Sequence, residues 1–245
     1  MKHFKSLLFI VLLTGSILAY STPIVVGVAK STPPYSAVDT KNHYFGFCID
    51  LINEVCKRLN ETCEYKAMNV NKQMEQLNNG EFDITFSPSP ITDTTAQNYM
   101  YSIPYLTSNG VFLTINPQII SIEQIKNKRI GTLQNSHLEN ILLAYTSQEN
   151  IKTYPAFPNL LSSVLNNEVD VIIVNANLAK YLANNKIINF QVVGKPIILG
   201  NGYGIIALKK NAELIKRINT ILLQMENDGT YLFIYNKYFG NLGSS

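Results

Sequence analysis

Cysteine is the residue type whose spacing in this chain most directly indicates chemistry. Cys56 falls on the last turn of a predicted helix, and Cys63 opens the strand that follows it. A tight reversal between them would bring their Cα atoms within the ~4.4–6.8 Å that a disulfide requires. Two buried free thiols are the alternative, and Cys48 is either a buried apolar side chain or a reactive thiol. His43, His137 and the cysteines are too dispersed to predict a metal site.

Small hydroxyl residues follow a predicted buried strand at Ser87 and Ser89, interleaved with Pro88 and Pro90. Proline removes backbone N–H donors and stiffens the loop. Ligands of open α/β sheets bind beyond the carboxyl ends of the parallel strands. The two serines are therefore candidate ligand-binding residues.

A second polar group contains Asn135, Ser136 and His137, and Ser136 forms a capping-box pattern with Glu139. The pattern predicts a helix start. A helix N-terminus that faces a cleft also binds anions, so capping alone and capping combined with ligand contact both stay open. In the second case Ser136 and His137 bind the ligand.

Two tyrosines complete the set of candidate polar residues. Tyr35 follows Pro33 and Pro34, and it either walls a cleft or packs in a core. Tyr203 lies at a predicted crossover, where its hydroxyl reaches either a ligand or only a hinge. The sequence contains no Ser/His/Asp arrangement and no phosphate-binding loop. It therefore supports neither a hydrolase with a catalytic triad nor an enzyme that binds nucleotide phosphates.

Alternating strands and helices position these residues. The first half predicts strands at 24–28, 63–67 and 82–86 and helices at 50–60 and 72–79. The second half predicts strands at 129–132, 151–154, 169–174 and 204–208 and helices at 136–146, 159–166, 176–183 and 212–227. Such alternation indicates an α/β fold with parallel-rich sheets flanked by helices. Two similar units imply two lobes joined by crossovers near 107–113 and 199–203, with a cleft between them.

The first 21 residues have a secretory layout. Lys2, His3 and Lys5 precede an apolar run at 7–18, which is short for a membrane span. We expect cleavage after Ala19 or Ser21, an oxidising compartment, and no lipid anchor. The chain has 20 Lys and Arg against 17 Asp and Glu, and removing Lys2 and Lys5 leaves 18 against 17. Without a basic block, nucleic-acid binding has little support.

Several short motifs together resemble those of a known receptor family. They lie at 46–51, 79–84, 91–92, 128–134, 228–231 and 237–240, and the cysteine pair adds to them. In this order and spacing they are similar to family 3 periplasmic solute-binding proteins of amino-acid ABC importers. The cysteine pair is typical of the lysine-arginine-ornithine, histidine and arginine-binding branch.

The resemblance also implies a ligand site. The family's arginine, which holds a ligand α-carboxylate, corresponds to Thr95, and its ammonium-binding aspartate corresponds to Asn175. An acid after the first strand corresponds to Ala29, and a stacking aromatic corresponds to Thr32. These neutral substitutions favour a less charged solute on desolvation grounds. Lys30 is either a substitute cation or a solvated loop residue.

The function expected from this resemblance is capture of a small polar solute and its delivery to an ABC permease in the inner membrane. The receptor would be a periplasmic monomer without a cofactor. Residues 1–21 would be the signal peptide, 22–108 and 204–245 lobe 1, and 109–203 lobe 2. The alternatives are an enzyme on the same scaffold, similar to cyclohexadienyl dehydratase, and a ligand sensor.

Overall fold

The computed structural model describes residues 22–86, 90–91, 98–186 and 188–240. Its strands, in chain order, are β1 (Ile24–Ala29), β2 (Ser31–Thr32), β3 (Ser36–Val38), β4 (Tyr44–Phe45), β5 (Cys63–Met68), β6 (Ile84–Phe86), β7 (Tyr99–Tyr101), β8 (Gly110–Thr114), β9 (Ile130–Leu133), β10 (Ile151–Tyr154), β11 (Val171–Asn175), β12 (Gln191–Ile197) and β13 (Ile205–Leu208). Its α-helices are α1 (Phe47–Leu59), α2 (Gln73–Asn78), α3 (His137–Ile141), α4 (Phe157–Leu165), α5 (Ala176–Asn184), α6 (Ala212–Asn227) and α7 (Thr230–Phe239).

The first sheet has the strand order β5-β1-β6-β13-β7. β1 pairs in parallel with β5 and β6, whereas β13 is antiparallel to β6 and β7. The C-terminal part of the chain therefore returns to complete the sheet that the N-terminal part begins. The short strands β2, β3 and β4 form a separate antiparallel sheet beside it.

The second sheet repeats this arrangement in the order β10-β9-β11-β8-β12. β9 pairs in parallel with β10 and β11, and β8 is antiparallel to β11 and β12. We call the first sheet, the small sheet beside it and α1, α2, α6 and α7, with the loops between them, the first unit, and the second sheet with α3, α4 and α5 the second unit.

An aspartate joins two strands in the same way in each unit. Asp83 Oδ2 accepts a hydrogen bond from Val25 N at 2.9 Å, and Asp83 N donates to Val25 O at 2.8 Å. Asp170 Oδ2 accepts from Arg129 N at 3.0 Å, and Asp170 N donates to Arg129 O at 2.9 Å. The repeat that the sequence predicts is therefore present in the hydrogen bonding.

Each sheet has an apolar core on both faces, because side chains alternate along a strand. Val26 and Val28 of β1 pack with α1, α6 and α7, while Ile206 of β13 packs on the opposite face with Leu77 of α2. In the second unit, Ile172 packs towards α4 and α5, and its neighbour Ile173 faces the other side. Both sheets are thus covered on their two faces.

Each sheet contains one strand that runs antiparallel to both of its neighbours, β13 in the first sheet and β8 in the second. Gly110–Thr114, predicted as part of a crossover, is strand β8 and is buried throughout. Its run of apolar residues is the signal of a fully buried strand. After each crossing between the two units, the chain continues as one of these antiparallel strands, β8 or β13. Both sheets therefore contain parallel and antiparallel pairs.

Two helices differ from the sequence-based expectation. The helix predicted at 136–146 ends as α3 at Ile141 and continues as a 3-10 turn over Leu142–Ala144. Helix α7 was not predicted. Its start, from Tyr231 to Tyr235, is apolar without a polar stripe, and such a run does not separate a helix from a strand by periodicity.

The predicted Cys56–Cys63 disulfide is present. The two Cα atoms are 6.2 Å apart, and the bridge joins the last turn of α1 to the start of β5. Cys48 is a free, buried cysteine with 3% of its surface exposed, and burial raises the pKa of its thiol to about 12. The interpretation of Cys48 as a small apolar residue is confirmed. No helix in the described ranges is both long and apolar enough to span a membrane.

Candidate functional site

The candidate site lies where strands of both sheets end. β1 ends at Ala29, β6 at Phe86, β9 at Leu133 and β11 at Asn175. The carboxyl ends of parallel strands are the places where open sheets bind ligands. Ser87, Ser89 and Thr95, which were predicted to bind the ligand, lie outside the described residues, as does the predicted signal peptide.

Asn175 is the last residue of β11 and the N-cap of α5. Its Oδ1 accepts a hydrogen bond from Asn177 N at 2.8 Å, which satisfies a donor that the first turn of a helix leaves unpaired. The Asn177 side chain donates to the same oxygen at 3.1 Å and to Thr107 O at 2.9 Å. Helix α5 is thereby fixed to the segment that enters the second unit.

Tyr35 reaches Asn175 from the first unit. Its hydroxyl donates to Asn175 Oδ1 at 3.0 Å, and Asn175 Nδ2 donates to the Tyr203 hydroxyl, also at 3.0 Å. We call these three residues the Tyr-Asn-Tyr cluster. The structure therefore brings together three residues that the sequence predicted as separate ligand-binding positions.

Helix α1 holds Tyr35 in place. Phe47 N donates to Pro34 O and Cys48 N donates to Tyr35 O, each at 2.9 Å, so backbone donors in the first turn of α1 bind the loop that carries Tyr35. Gly46 precedes α1 with φ 126°, and a Cβ at this position would lie 2.5 Å from Tyr35 O. The Tyr35 ring also packs against Phe239 of α7 at a centroid distance of 6.1 Å.

Tyr203 belongs to the hinge, which we define as residues 105–108 and 200–203. Tyr105 N donates to Tyr203 O and Tyr203 N donates to Leu106 O, each at 2.8 Å, which forms an antiparallel bridge between the two crossing segments. Gly202 N donates to Ser108 Oγ at 3.2 Å. The Tyr-Asn-Tyr cluster thus joins the first unit, the second unit and the hinge.

The cluster is uncharged at neutral pH. Burial, together with the nearby Tyr203, raises the pKa of Tyr35 well above its usual value. Burial likewise raises the pKa of Tyr203, against the opposing effect of its hydrogen bond to Asn175. Both hydroxyls therefore keep their protons. Lys30 is exposed, in agreement with its interpretation as a solvated loop residue.

Ser136 caps α3 as the sequence predicts, but the capping box differs in one bond. Ser136 Oγ accepts from Glu139 N at 3.2 Å, whereas Glu139 Oε2 accepts from Asn135 N at 2.7 Å and not from Ser136 N. His137 is exposed. Helix α3 contains only five residues, so only a short helix dipole favours anion binding at its N-terminus, where the sequence suggests an anion site.

Helix α3 nevertheless lies at the same sheet edge as Asn175. Gly110 pairs with Asn175 in the ladder between β8 and β11, and a Cβ on Gly110 would meet Leu138 Cδ2 at 2.6 Å. Leu138 of α3 therefore covers the strand next to Asn175.

Thr32, another predicted ligand-binding residue, is exposed. Its hydroxyl oxygen lies 3.0 Å from Ser36 Oγ, within hydrogen-bond distance.

Sequence reasoning missed the contact between α5 and α7. Lys180 Nζ donates to the Tyr235 hydroxyl at 3.3 Å and lies 5.8 Å from the centre of that ring. Tyr181 packs against the cores of both units. The signal for this contact was weak, because α7 itself was not recognised. No group of three or more His, Cys, Asp or Glu side chains suited to a metal ion occurs within the described residues.

Comparisons with known proteins agree with this arrangement. The family of bacterial extracellular solute-binding proteins, family 3, matches residues 24–241. The arginine-binding periplasmic protein of Mannheimia haemolytica is 25% identical over 232 residues, which cover 94% of this chain and 96% of that protein.

Solved structures give the same result. An arginine 3rd transport system periplasmic binding protein from Legionella pneumophila has a TM-score of 0.77 at 30% identity, over 89% of this chain and 100% of that one. An ancestral amino acid-binding protein, a precursor of cyclohexadienyl dehydratase, has a TM-score of 0.74 at 25% identity, over 89% and 95% of the two chains. The chain therefore belongs to the bacterial extracellular solute-binding proteins of family 3 and has their two-lobed type II periplasmic-binding-protein fold.

Proposed function

We propose that the protein captures a small, polar, amino-acid-like solute between its two lobes and delivers it to an ABC permease in the inner membrane. The family assigns a substrate-binding role, and the similar proteins named above bind arginine or amino acids. One observation carries the proposal further. Tyr35 of the first unit meets Asn175 of the second beside the hinge, so both units supply polar groups to the same place.

The lobe boundaries proposed for this function follow the two sheets. Lobe 1 comprises residues 22–108 and 204–245, and lobe 2 comprises residues 109–203. The assignment of β13 to the first sheet and of β8 to the second supports this division. Rotation about the paired hinge segments would then open and close the cleft, as in other hinged binding proteins.

Export to the periplasm and a monomeric state complete the proposal. Residues 1–21 would act as the signal peptide. The disulfide between Cys56 and Cys63 supports an oxidising compartment, because such bonds persist there. The likeness to periplasmic binding proteins supports the same location.

We also propose that the protein is a binding protein without catalytic activity. The similar proteins are themselves binding proteins, although one is a precursor of a dehydratase. Acid-base catalysis needs a carboxyl, imidazole or amine poised at the substrate. Position 175 is an asparagine, and Glu139 accepts a hydrogen bond from Asn135 N. Conversion of a cyclohexadienyl substrate by the purified protein would contradict this part of the proposal.

Calorimetry and thermal unfolding test the binding function. The mature protein is titrated with free amino acids, their amides, polyamines and small acids. A solute at one hundred times its dissociation constant stabilises the native state by about 2.7 kcal/mol, which raises the melting temperature by roughly 5–10 °C in a domain of this size. X-ray scattering of the same samples should show compaction when the solute binds.

Two substitutions at the caps of α5 sharpen this test. Asn175→Ala removes the side chain shared by both units and should weaken solute binding. Asn185→Ala makes the same change at the exposed C-terminal end of α5 and should leave the affinity unchanged. If no solute shifts the melting temperature or compacts the protein, the proposed function is wrong.

A further inference from the structure

The orientation of the Asn175 amide is determined by its hydrogen bonds. Asn177 N can only donate, so the atom of Asn175 that lies 2.8 Å from it must be the oxygen. The Tyr35 hydroxyl donates to the same oxygen at 3.0 Å, and Asn177 Nδ2 donates at 3.1 Å. Three donors therefore occupy an oxygen that has two lone pairs, and its accepting capacity is used within the protein.

The nitrogen side of the amide has the opposite character. Asn175 Nδ2 donates one hydrogen to the Tyr203 hydroxyl at 3.0 Å and has a second hydrogen. Because the Tyr203 oxygen accepts this bond, its own hydrogen is free to be donated elsewhere. Both side chains are half-buried, so a solute in the cleft can reach them. Tyr203 keeps its proton at neutral pH, since burial raises its pKa.

We infer that the Tyr-Asn-Tyr cluster presents hydrogen-bond donors to the cleft, and that the solute places an acceptor there, a carbonyl or carboxylate oxygen, and not an ammonium group. The Asn175 amide and the Tyr203 hydroxyl supply the donors. Tyr35 is a positioning residue, because its hydroxyl occupies Asn175 Oδ1 and so turns the amide nitrogen towards Tyr203.

The reason for excluding an ammonium is complementarity. An ammonium group has three donors and no acceptor. Beside this cluster it would face the Asn175 N–H, and the remaining lone pairs of the two tyrosine hydroxyls would be its acceptors, because Asn175 Oδ1 is already fully used. A carbonyl or carboxylate oxygen, by contrast, accepts from both Asn175 Nδ2 and the Tyr203 hydroxyl. A buried polar group without a partner is costly. This inference rests on the proposed function and specifies the chemistry of the solute at one part of the same site.

Matched solutes test the inference on the unmodified protein. Calorimetry compares each free amino acid with its N-acetyl derivative and with the corresponding acid that lacks the amino group. The compound without an ammonium should bind at least as tightly as the free amino acid. If every free amino acid that binds does so more than tenfold tighter than both of its derivatives, the inference is wrong while the proposed function stands.

Substitutions locate the effect at the cluster. Tyr203→Phe removes a donor to the solute and should weaken binding of the acid about tenfold, as expected for the loss of one hydrogen bond. Tyr238→Phe makes the same change at a hydroxyl that bonds Asp50 and should have no effect on binding. Asn175→Asp replaces the donating nitrogen with an accepting oxygen and should shift the preference towards the free amino acid.

The outcomes separate the two proposals. Wild-type protein that binds none of the compounds contradicts both the function and the inference. Solute binding with equal affinity in wild type and Tyr203→Phe contradicts the inference alone. If Asn175→Asp does not fold, as judged by circular dichroism, the solute series and the Tyr203→Phe comparison decide the question without it.

Discussion

Asn175 is held by two tyrosines that lie far from it in the sequence. Tyr35 is 140 positions away and Tyr203 is 28 positions away. Each of the three was a candidate on separate grounds: Tyr35 follows Pro33 and Pro34, Tyr203 lies at a predicted crossover, and Asn175 corresponds to the aspartate of the family that the sequence resembles. Their mutual hydrogen bonds were not predictable, since they depend on how the two units and the hinge are placed relative to one another.

Position 46 provides a test of how Tyr35 is held. Gly46→Ala would force an L residue to φ 126° and place its Cβ 2.5 Å from Tyr35 O. We expect a loss of at least about 2 kcal/mol in the free energy of unfolding, measured by urea titration. Gly80→Ala is the matched control, because Gly80 has φ 72° with no atom within 4 Å of a Cβ. That change should cost about 1 kcal/mol, and equal losses at both positions would contradict the role assigned to Gly46.

At the scale of elements, sequence periodicity located α1, α4, α5 and α6 well, since each presents one apolar face to a sheet. Helix α6 has the predicted bounds, 212–227. Strand β12 was not predicted. It contains Gly194, Lys195 and Pro196 and changes register between Val193 and Ile197. Such features protect an edge strand from pairing with other chains. They also interrupt the alternation of apolar and polar residues by which a strand is recognised in a sequence.

The bridge between α1 and β5 gives a prediction about reduction. Cys56 and Cys63 are 7 positions apart, and chain-entropy reasoning assigns a loop of this size a stabilisation of about 2.5 kcal/mol. A reductant should therefore lower the urea midpoint of the wild-type protein. The double variant Cys56→Ala/Cys63→Ala should have a low midpoint with or without reductant. A wild-type midpoint that does not respond to reduction would contradict this account.

At the scale of the whole molecule, charged residues tie the C-terminal segment to α1. Arg58 donates to Asp228 Oδ2 at 2.7 Å and to Glu54 Oε1 at 2.8 Å. Near the end of α7, Lys237 and Tyr238 donate to Asp50 Oδ2 at 2.6 and 2.7 Å. The first unit, although built from two separate stretches of chain, is therefore joined by polar contacts as well as by its core.

Acid should weaken this connection. Hydrogen bonds from Arg58 lower the pKa of both Glu54 and Asp228 in the folded protein. Their stabilising contribution is complete above their unfolded pKa values, near ~4, and is lost as the pH falls towards the folded values. The melting temperature should thus fall below about pH 4.

A substitution identifies the carboxyls responsible. Arg58→Gln should make the acid-induced fall in melting temperature shallower, because Glu54 and Asp228 would titrate closer to their unfolded values. Lys216→Gln removes an ion pair with Glu213 on the exposed face of α6. This variant should show the same dependence of melting temperature on pH as the wild-type protein. Superimposable acid profiles for Arg58→Gln and wild type would assign the pH dependence to other groups.

The position of β13 bears on the order in which the two units of the chain fold. All strands of the second sheet lie between Gly110 and Ile197, so that sheet can form as soon as this stretch has emerged. The first sheet needs Ile205–Leu208 between β6 and β7, and its contacts therefore span most of the chain. Such long-range contacts form slowly. The second unit can thus fold first. Until β13 is available, the apolar strands of the first sheet stay exposed.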